Sequence, residues 1–351
     1  MDNKKKTAEE LELELEGLRK KVASLESGEG NHKRIDEVLS RFCESTYSTI
    51  FNAASDAIFI SDIEGAKIID ANEKACEMFC YPKEELLKLT IYDLCVSQEP
   101  FTAEEAGRLM SKAANGEPQL FEWIVKDKAG RHFWVEVNLR RAVVGGRYHL
   151  LSVVRDISER KRLEESLTRI NETILAFGPN PTENINRLTA LCGELLNADC
   201  ALYNRLEDGM LCSCGQWKVP EGFNPKDKAE GHICYDVIRR QDNGVIVIQN
   251  LPETDYARTD PNVSGYGLRT YLGCPVNFGG NYVGALCVLY QYDFEPVEDD
   301  KKIMEIIASA IGVEEERRYA EDISHLARFS IDRASDEIGR ASCRERVYVL
   351  V

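Results

Sequence analysis

No stretch of this sequence runs 18 apolar residues without a charge or a turn former, and its opening, MDNKKKTAEELELELE, has no apolar core. That pattern argues against a membrane-spanning helix and a secretory signal, so a cytoplasmic protein without membrane attachment is expected. Positive charge is also short: 44 Lys and Arg face 60 Asp and Glu, a net charge of −16 at pH 7. Nucleic acids and membrane surfaces are polyanions, so a general binder of either is not expected. The 12 cysteines include no CxxC pair, which removes the zinc-ribbon and thioredoxin-like patterns. They read as reduced thiols that pack as small hydrophobes. No GxxxxGKS or GxxxxGKT phosphate loop occurs, and GGRYH and FGGNY read as hairpin turns.

What is present is enough for two or three domains: 351 residues, 43% of them hydrophobic. Leu11, Leu15, Leu18, Val22 and Leu25 follow a 4, 3, 4, 3 spacing, the seam of a coiled coil. With Leu15 and Val22 at a, a parallel dimer sets Glu14 against Arg19 and Lys21 against Glu26, opposite charges both times. A short helix around Ile35 to Phe42 follows. AIFISD and KIIDA then read as a hairpin. ANEKACEMFCYPKEELL reads as helical, and Ala103 to Asn115 as a polar helix. Three strand runs close the region: FEWIVKDKAG, RHFWVEVNLRRAVV and YHLLSVVRDIS.

A second heptad seam, Leu163, Leu167, Ile170, Ile174 and Phe177, joins this region to the next. A seamed helix between globular regions is a candidate rod for passing rotation or register shifts between protomers. After GPNPTEN a helix runs from about Asn184 to Leu196, followed by the strands DCALYNRL, LCSCGQW, VIVIQNL, TYLGCPVNF and YVGALCVLYQ. GHICYDVIRR forms a helix between the second and third of these. A last long helix starts near Pro296, where VEDDKK puts acids at its positive end and Gly312 interrupts it at most mildly. The fold class is therefore α+β: two antiparallel-sheet domains joined by long, coiled-coil-forming helices.

SDAIFISD, IIDANEKACEMFCYPKEELL and the closing VVRDISERK, spread over Ser45 to Lys161, resemble the PAS sensor family. The resemblance implies a five-stranded antiparallel sheet with a pocket between sheet and helices. It also implies that Asp156 anchors the exit helix. The region from about Thr182 to Val313 resembles a GAF domain through LYNRLEDG, GHICYDVI, YGLRTYLGCPV, YVGALCVLY and FEPVEDDKKIMEIIA. GAF domains are small-ligand or dimerisation modules. The tandem resembles the input half of bacterial or archaeal sensor histidine kinases, which implies a parallel homodimer with a kinase domain and a response regulator as downstream partners. Signal coupling is then expected at Asp156, Leu163, Leu167, Ile170 and Ile174. The rivals are the sensory part of a cyclic-dinucleotide synthase or phosphodiesterase, and a stand-alone haem or redox sensor.

ASDEI at Ala334 to Ile338 is similar to ASDAI at Ala54 to Ile58, so a second PAS domain is expected to begin there. EIGRASCRERV instead resembles translated sequencing-adapter read-through. The expected segments are a coiled coil over 1–30, a PAS domain over 31–161, a signalling helix over 156–181 and a GAF domain over 182–313. A linker helix over 314–329, a PAS start over 330–338 and a non-biological tail over 339–351 complete them.

No catalytic residue is assigned. His325, in DISHLARF, lacks the acidic residue and later Pro of a phosphoacceptor box and reads as a linker-helix residue. The PAS helix NEKACEMFCY lacks the NCRFLQ-like motif of photoactive flavin domains. No His lies between Phe59 and Arg131, where haem-binding PAS domains place theirs, and His132 and His149 fall on strands. The GAF domain lacks the NKxxF-type motif of the cyclic-nucleotide subset. Its richest cluster is Cys212 and Cys214, alternating on one strand, with His232 and Cys234 at a helix start. Period two puts Cys212 and Cys214 on one face; if that face lines the pocket, thiolates and imidazole suit haem iron or zinc. Cys234 alone is a candidate oxidisable thiol. The cofactor stays open, with haem one candidate, and no metal is assigned.

Overall fold

The computed structural model describes residue 16 and residues 45–96, 98–240, 242 and 244–348. The heptads over 1–30 and the short helix around Ile35 to Phe42 lie outside the described residues. The chain divides into two units, Met1–Ser158 and Glu159–Val351.

In the first unit a helix over 45–52 leads into β1 (Ala57–Ser61) and β2 (Ile68–Ala71). Asp62 Oδ1 makes their turn by accepting from the backbone N–H of Gly65 at 2.7 Å and of Lys67 at 3.3 Å. Short helices α1 (Glu73–Phe79) and α2 (Lys83–Leu86) and the longer α3 (Ala103–Ala114) follow. Then come β3 (Gln119–Lys126), β4 (His132–Val144) and β5 (Arg147–Asp156). The sheet order is β2-β1-β5-β4-β3, every neighbour antiparallel. Strand alternation decides the core: Trp123 and Val125, Phe133 and Val135, and Val154 are buried together with Phe59, Phe79 and Leu86. Asn72, fully buried, fixes where α1 starts. Its Oδ1 accepts from Ala75 N at 3.0 Å and Ile58 N at 2.9 Å, and its Nδ2 donates to Phe51 O and Asp56 O, both at 3.0 Å.

The second unit starts with α4 (Ser158–Leu175) and α5 (Pro181–Leu195). Asn180 caps α5 with Pro181 in its first turn, so the helix begins ahead of the expected Asn184. The strands are β6 (Cys200–Glu207), β7 (Met210–Trp217), β8 (Lys226–Lys228), β9 (Ile246–Ile248), β10 (Thr270–Phe278) and β11 (Asn281–Tyr290). Between β8 and β9 lies α6 (Ile233–Arg239), and between β9 and β10 lie α7 (Tyr256–Thr259) and α8 (Pro261–Gly265). The order is β8-β7-β6-β11-β10-β9, every neighbour antiparallel. β8, a three-residue edge of sequence KDK, carries no apolar alternation, which is why the sequence reading passes over it.

Both faces of this sheet are covered. Ala201 and Tyr203 of β6, Leu272, Cys274 and Val276 of β10, and Leu286 and Val288 of β11 pack in one core with Ile185, Leu188 and Ile307. Cys200 and Leu202, Tyr271, and Ala285 and Cys287 point to the other side and pack with Ile233, Val237 and Leu251.

The final helix, α9 (Glu298–Tyr348), buries Ile303, Met304, Ile307 and Ile311 and passes Gly312 without a break. The backbone over 330–338 and onward to Tyr348 is the continuation of this helix. No strand begins at the position corresponding to Ala57, so the reading of ASDEI as the start of another domain stays a proposal.

The heptad seam of α4 divides. Ile170 is buried, and Leu163 and Phe177, one heptad either side, pack against the same core. Leu167 and Ile174 stay partly exposed. Part of the stripe expected to meet a partner chain is thus used within its own domain, and Phe177 lies beyond the helix end.

Candidate functional site

The second unit encloses a cavity of about 50 Å3 between its sheet and α6, lined by Asn204, Leu211, Ser213, Asp227, His232, Cys234, Asp260, Tyr271 and Cys287 among others. It is the volume of one or two waters. Strands β6, β7, β8, β10 and β11 and helix α6 all contribute to it, and alternation brings Asn204 of β6, Tyr271 of β10 and Cys287 of β11 to one face. Gly273 makes room for the Tyr271 ring: a Cβ there would collide with the Tyr271 hydroxyl.

Cys234 is the focus of the polar contacts. Asn204 Nδ2 donates to its Sγ at 3.2 Å, Tyr271 Oη lies 3.3 Å away, and Cys287 Sγ lies 3.6 Å away. Asn204 Oδ1 in turn accepts from Ser213 Oγ at 2.5 Å. The hydrogen-bonding contact with Cys287 leads the pull on Cys234, lowering its thiol below the ordinary range against the cost of burial, while the same contact pushes Cys287 well up. Burial likewise pushes the Tyr271 hydroxyl well above its usual range.

His232 stands beside this cluster, its Nδ1 3.2 Å from Asp260 Oδ1 and its Nε2 3.6 Å from Asp227 Oδ2. The Asp260 hydrogen bond raises the imidazole above its ordinary pKa, with burial opposing. The His232 side chain caps nothing; Asp260 accepts from Ile233 N at 3.1 Å and so supplies the first turn of α6 with its acceptor.

Of the four residues singled out in sequence, the structure brings His232 and Cys234 into the cavity and leaves Cys212 and Cys214 out. On β7 the residues that line it are Leu211 and Ser213, so the intervening parity belongs to the other face. Cys214 packs into the opposite core, where burial pushes its thiol up. It sits at a β-bulge: pairing steps from Tyr203↔Gly215 to Asn204↔Ser213 and leaves Cys214 without a partner. The expected four-residue ligand set is therefore not assembled. Among the described residues no group of three or more His, Cys, Asp or Glu side chains is placed to hold a metal ion. A porphyrin, which needs a pocket on the scale of roughly 300–1,000 Å3, does not fit this cavity.

Sequence reasoning missed Cys287, Asn204, Tyr271 and Asp260. Cys287 lies in the apolar run YVGALCVLY, where nothing but the cavity distinguishes it from a core residue.

The first unit holds a cavity of about 60 Å3 lined by Phe59, Phe79, Leu94, Met110, Trp123, Val137 and Ser152 among others. Its walls are almost wholly apolar. Among the described residues Trp123 Nε1 is buried without an oxygen or nitrogen acceptor; the sulfur of Cys95, a weak acceptor, is beside it.

Asp156, at the end of β5, accepts from Ser158 N at 2.8 Å and so holds the first turn of α4. The tie to the sheet is made next door: Ser158 Oγ accepts from Trp134 N at 3.1 Å, and Ile157 N donates to Trp134 O at 2.9 Å.

These two cavities sit in two recognised sensory modules. A PAS domain model matches residues 55–159 and a GAF domain model residues 180–314. The chain therefore carries a PAS domain followed by a GAF domain, an arrangement for signal input. It is 30% identical over 121 residues to the methyl sulfide methyltransferase-associated sensor of Methanosarcina acetivorans, covering 34% of this chain and 12% of that protein. It is 28% identical over 124 residues to sporulation kinase E of Bacillus subtilis, covering 35% of this chain and 16% of that protein. The chain thus spans a small part of either curated relative. Among solved structures, the PAS domain of an HTR-like protein from Haloarcula marismortui matches 33% of this chain over 99% of its own length, at 26% identity and a TM-score of 0.30. The GAF domain of a phosphoenolpyruvate-protein phosphotransferase from Coxiella burnetii matches 46% of this chain over 98% of its own length, at 17% identity and a TM-score of 0.41. No helix among the described residues is long and apolar enough to cross a membrane.

Proposed function

We propose that this chain is the sensory input of a phosphorelay protein, passing a state of its GAF cavity along α9 to a histidine kinase output and its response regulator. The observation that carries the reading is the adjacency of two side chains on β6. Asn204 contacts the cavity thiol, and the next residue, Arg205, reaches the opposite face. There its guanidinium donates to Glu315 Oε1 of α9 at 2.9 and 2.7 Å. Glu315 is fully buried, and its other oxygen accepts from Arg318 at 3.0 Å. Glu314, one residue earlier, accepts from Asn184 at 2.8 Å. A shift of β6 thus bears on the point where α9 leaves the domain, and breaking either buried contact is costly enough to favour two discrete poses.

The PAS cavity suits a small uncharged molecule with one acceptor for Trp123 Nε1, and Asp156 with Ser158 sets the pose of α4. The partly exposed Leu167 and Ile174 of α4, and Val313, Tyr319 and Ile323 of α9, are the surfaces we assign to a parallel homodimer. In the complete protein, Asp156→Ala is expected to uncouple signal from autophosphorylation while leaving basal phosphorylation intact. An unchanged signal response contradicts the role given to Asp156. A redox-sensing version of this reading is favoured by one specific contact, the approach of two thiols in the GAF cavity.

A further inference from the structure

The second unit keeps several buried cysteines, and most are inert by position. Cys192 is fully surrounded by core, and burial pushes Cys200 and Cys274 each up to about 12. One pair differs. Cys234 of α6 and Cys287 of β11 lie in van der Waals contact, Sγ to Sγ 3.6 Å, on the wall of a cavity. We propose that Cys234 and Cys287 are a reversible two-electron redox pair, oxidised to a disulfide by a small hydroperoxide admitted to the GAF cavity. The inference rests on the reading of that cavity as the sensing site and specifies its signal.

Three features assign the roles. Asn204 and Tyr271 converge on Cys234 at 3.2 and 3.3 Å and provide hydrogen bonds that a thiolate accepts, so Cys234 is the attacking sulfur. Cys287 is the thiol in contact with it among the described residues and resolves the intermediate. The cavity, about 50 Å3, admits a molecule of two or three heavy atoms and excludes a bulky thiol or disulfide. Its rim includes the exposed Asn224 and the half-buried Asp227, which gives a small polar oxidant an entry.

In the first step, with hydrogen peroxide as the oxidant, the Cys234 sulfur attacks one peroxide oxygen; an S–O bond forms as the O–O bond breaks, and the thiol proton leaves with the departing hydroxide as water. In the second step the Cys287 sulfur displaces the hydroxyl of the Cys234 sulfenic acid. An S–S bond forms, the S–O bond breaks, and the Cys287 proton leaves with the hydroxyl as a second water. The peroxide takes up both electrons. Closing the contact from 3.6 Å to the roughly 2.05 Å of a disulfide draws α6 toward β11 and removes the thiol that Asn204 contacts.

The test is peptide mapping of the full chain under non-reducing conditions after treatment with hydrogen peroxide, and in parallel with the bulky cumene hydroperoxide. The expected result is a peptide linking Cys234 to Cys287 with hydrogen peroxide, abolished by dithiothreitol and formed about tenfold less readily with the bulky reagent. Cys287→Ser is expected to stop at a dimedone-trappable Cys234 sulfenic acid. Recovery of both cysteines as alkylatable thiols, while the exposed Cys80 is oxidised, overturns the proposal; because this is read on the unsubstituted chain, it does not depend on how a variant folds. Phosphorylation output is a separate readout: a disulfide without a change in output contradicts the sensory reading and leaves the thiol pair standing.

Discussion

The two cavities are nearly equal in volume, about 60 Å3 in the PAS domain and about 50 Å3 in the GAF domain, and are walled in the same manner by an antiparallel sheet and short helices. Their chemistry is opposite. The PAS cavity presents aromatic and aliphatic walls with one indole N–H, whereas the GAF cavity gathers two thiols, a phenol, an amide and a His–Asp pair. The difference arises at alternate positions of strands that look alike in composition: Val137 and Leu139 line the first cavity, Tyr271 and Cys287 the second. Equal volume therefore carries no information about ligand, and the side chains on one parity of each strand carry nearly all of it.

The contrast has a counterpart in what each cavity adjoins. The PAS cavity is backed by packed rings, Phe59 and Phe133 each 5.4 Å from Phe79. The GAF cavity is backed, through β6, by a buried ion pair. The largest expected effect separates the two: Phe79→Ala, at a fully buried site, should cost about 3–5 kcal/mol and lower the PAS unfolding transition in calorimetry while leaving the GAF transition in place. If both fall together, the two units do not unfold independently. Next, Glu315→Ala leaves the Arg205 guanidinium only its 3.1 Å pairing with the exposed Glu207 and should lower the GAF transition by about 3 kcal/mol, leaving the PAS transition unmoved. An effect below the resolution of the scan would mean Arg205 is satisfied elsewhere.

A smaller effect tests the His–Asp pair. Because the folded pKa of His232 is raised, its stabilisation is full below the unfolded pKa of about 6.5 and is lost as pH rises through the folded pKa. GAF stability in urea should therefore decline more steeply from about pH 6 to about pH 8 in the unsubstituted chain than in His232→Gln. Parallel pH profiles would remove the charge from the account. The smallest effect is at the PAS cavity: Trp123→Phe removes an N–H that has no strong acceptor and should change urea stability by less than about 1 kcal/mol. A loss well beyond that would reveal a partner for the indole.

Much of this was legible in the sequence because strands and amphipathic helices write their period directly. The five PAS strands, the helix at GHICYDVIRR and the long C-terminal helix are found where alternation and acidic start signals put them. The candidate site was half legible. His232 and Cys234 stand at the cavity, but period two fixes only that Cys212 and Cys214 share a side, not which side faces the cavity. The answer depends on pairing across the sheet and on the bulge at Cys214, neither of which is a local property of LCSCGQW. Cys287 was hidden for the opposite reason: in a strand buried on both faces every position is apolar, so a functional thiol and a packing thiol look the same. The α4 stripe is helical, but heptad spacing does not say what covers it: Ile170, with Leu163 and Phe177 one heptad either side, packs in its own domain.

The central claim is that the GAF cavity reports to α9 through Asn204, Arg205 and Glu315. Hydrogen–deuterium exchange of the full chain, before and after peroxide treatment, measures it directly. The account predicts faster exchange in α9 around Glu314 to Arg318 after treatment, lost in Cys234→Ser, with the PAS strands unchanged. A change confined to α6 and β11, with α9 exchanging as before, would contradict it.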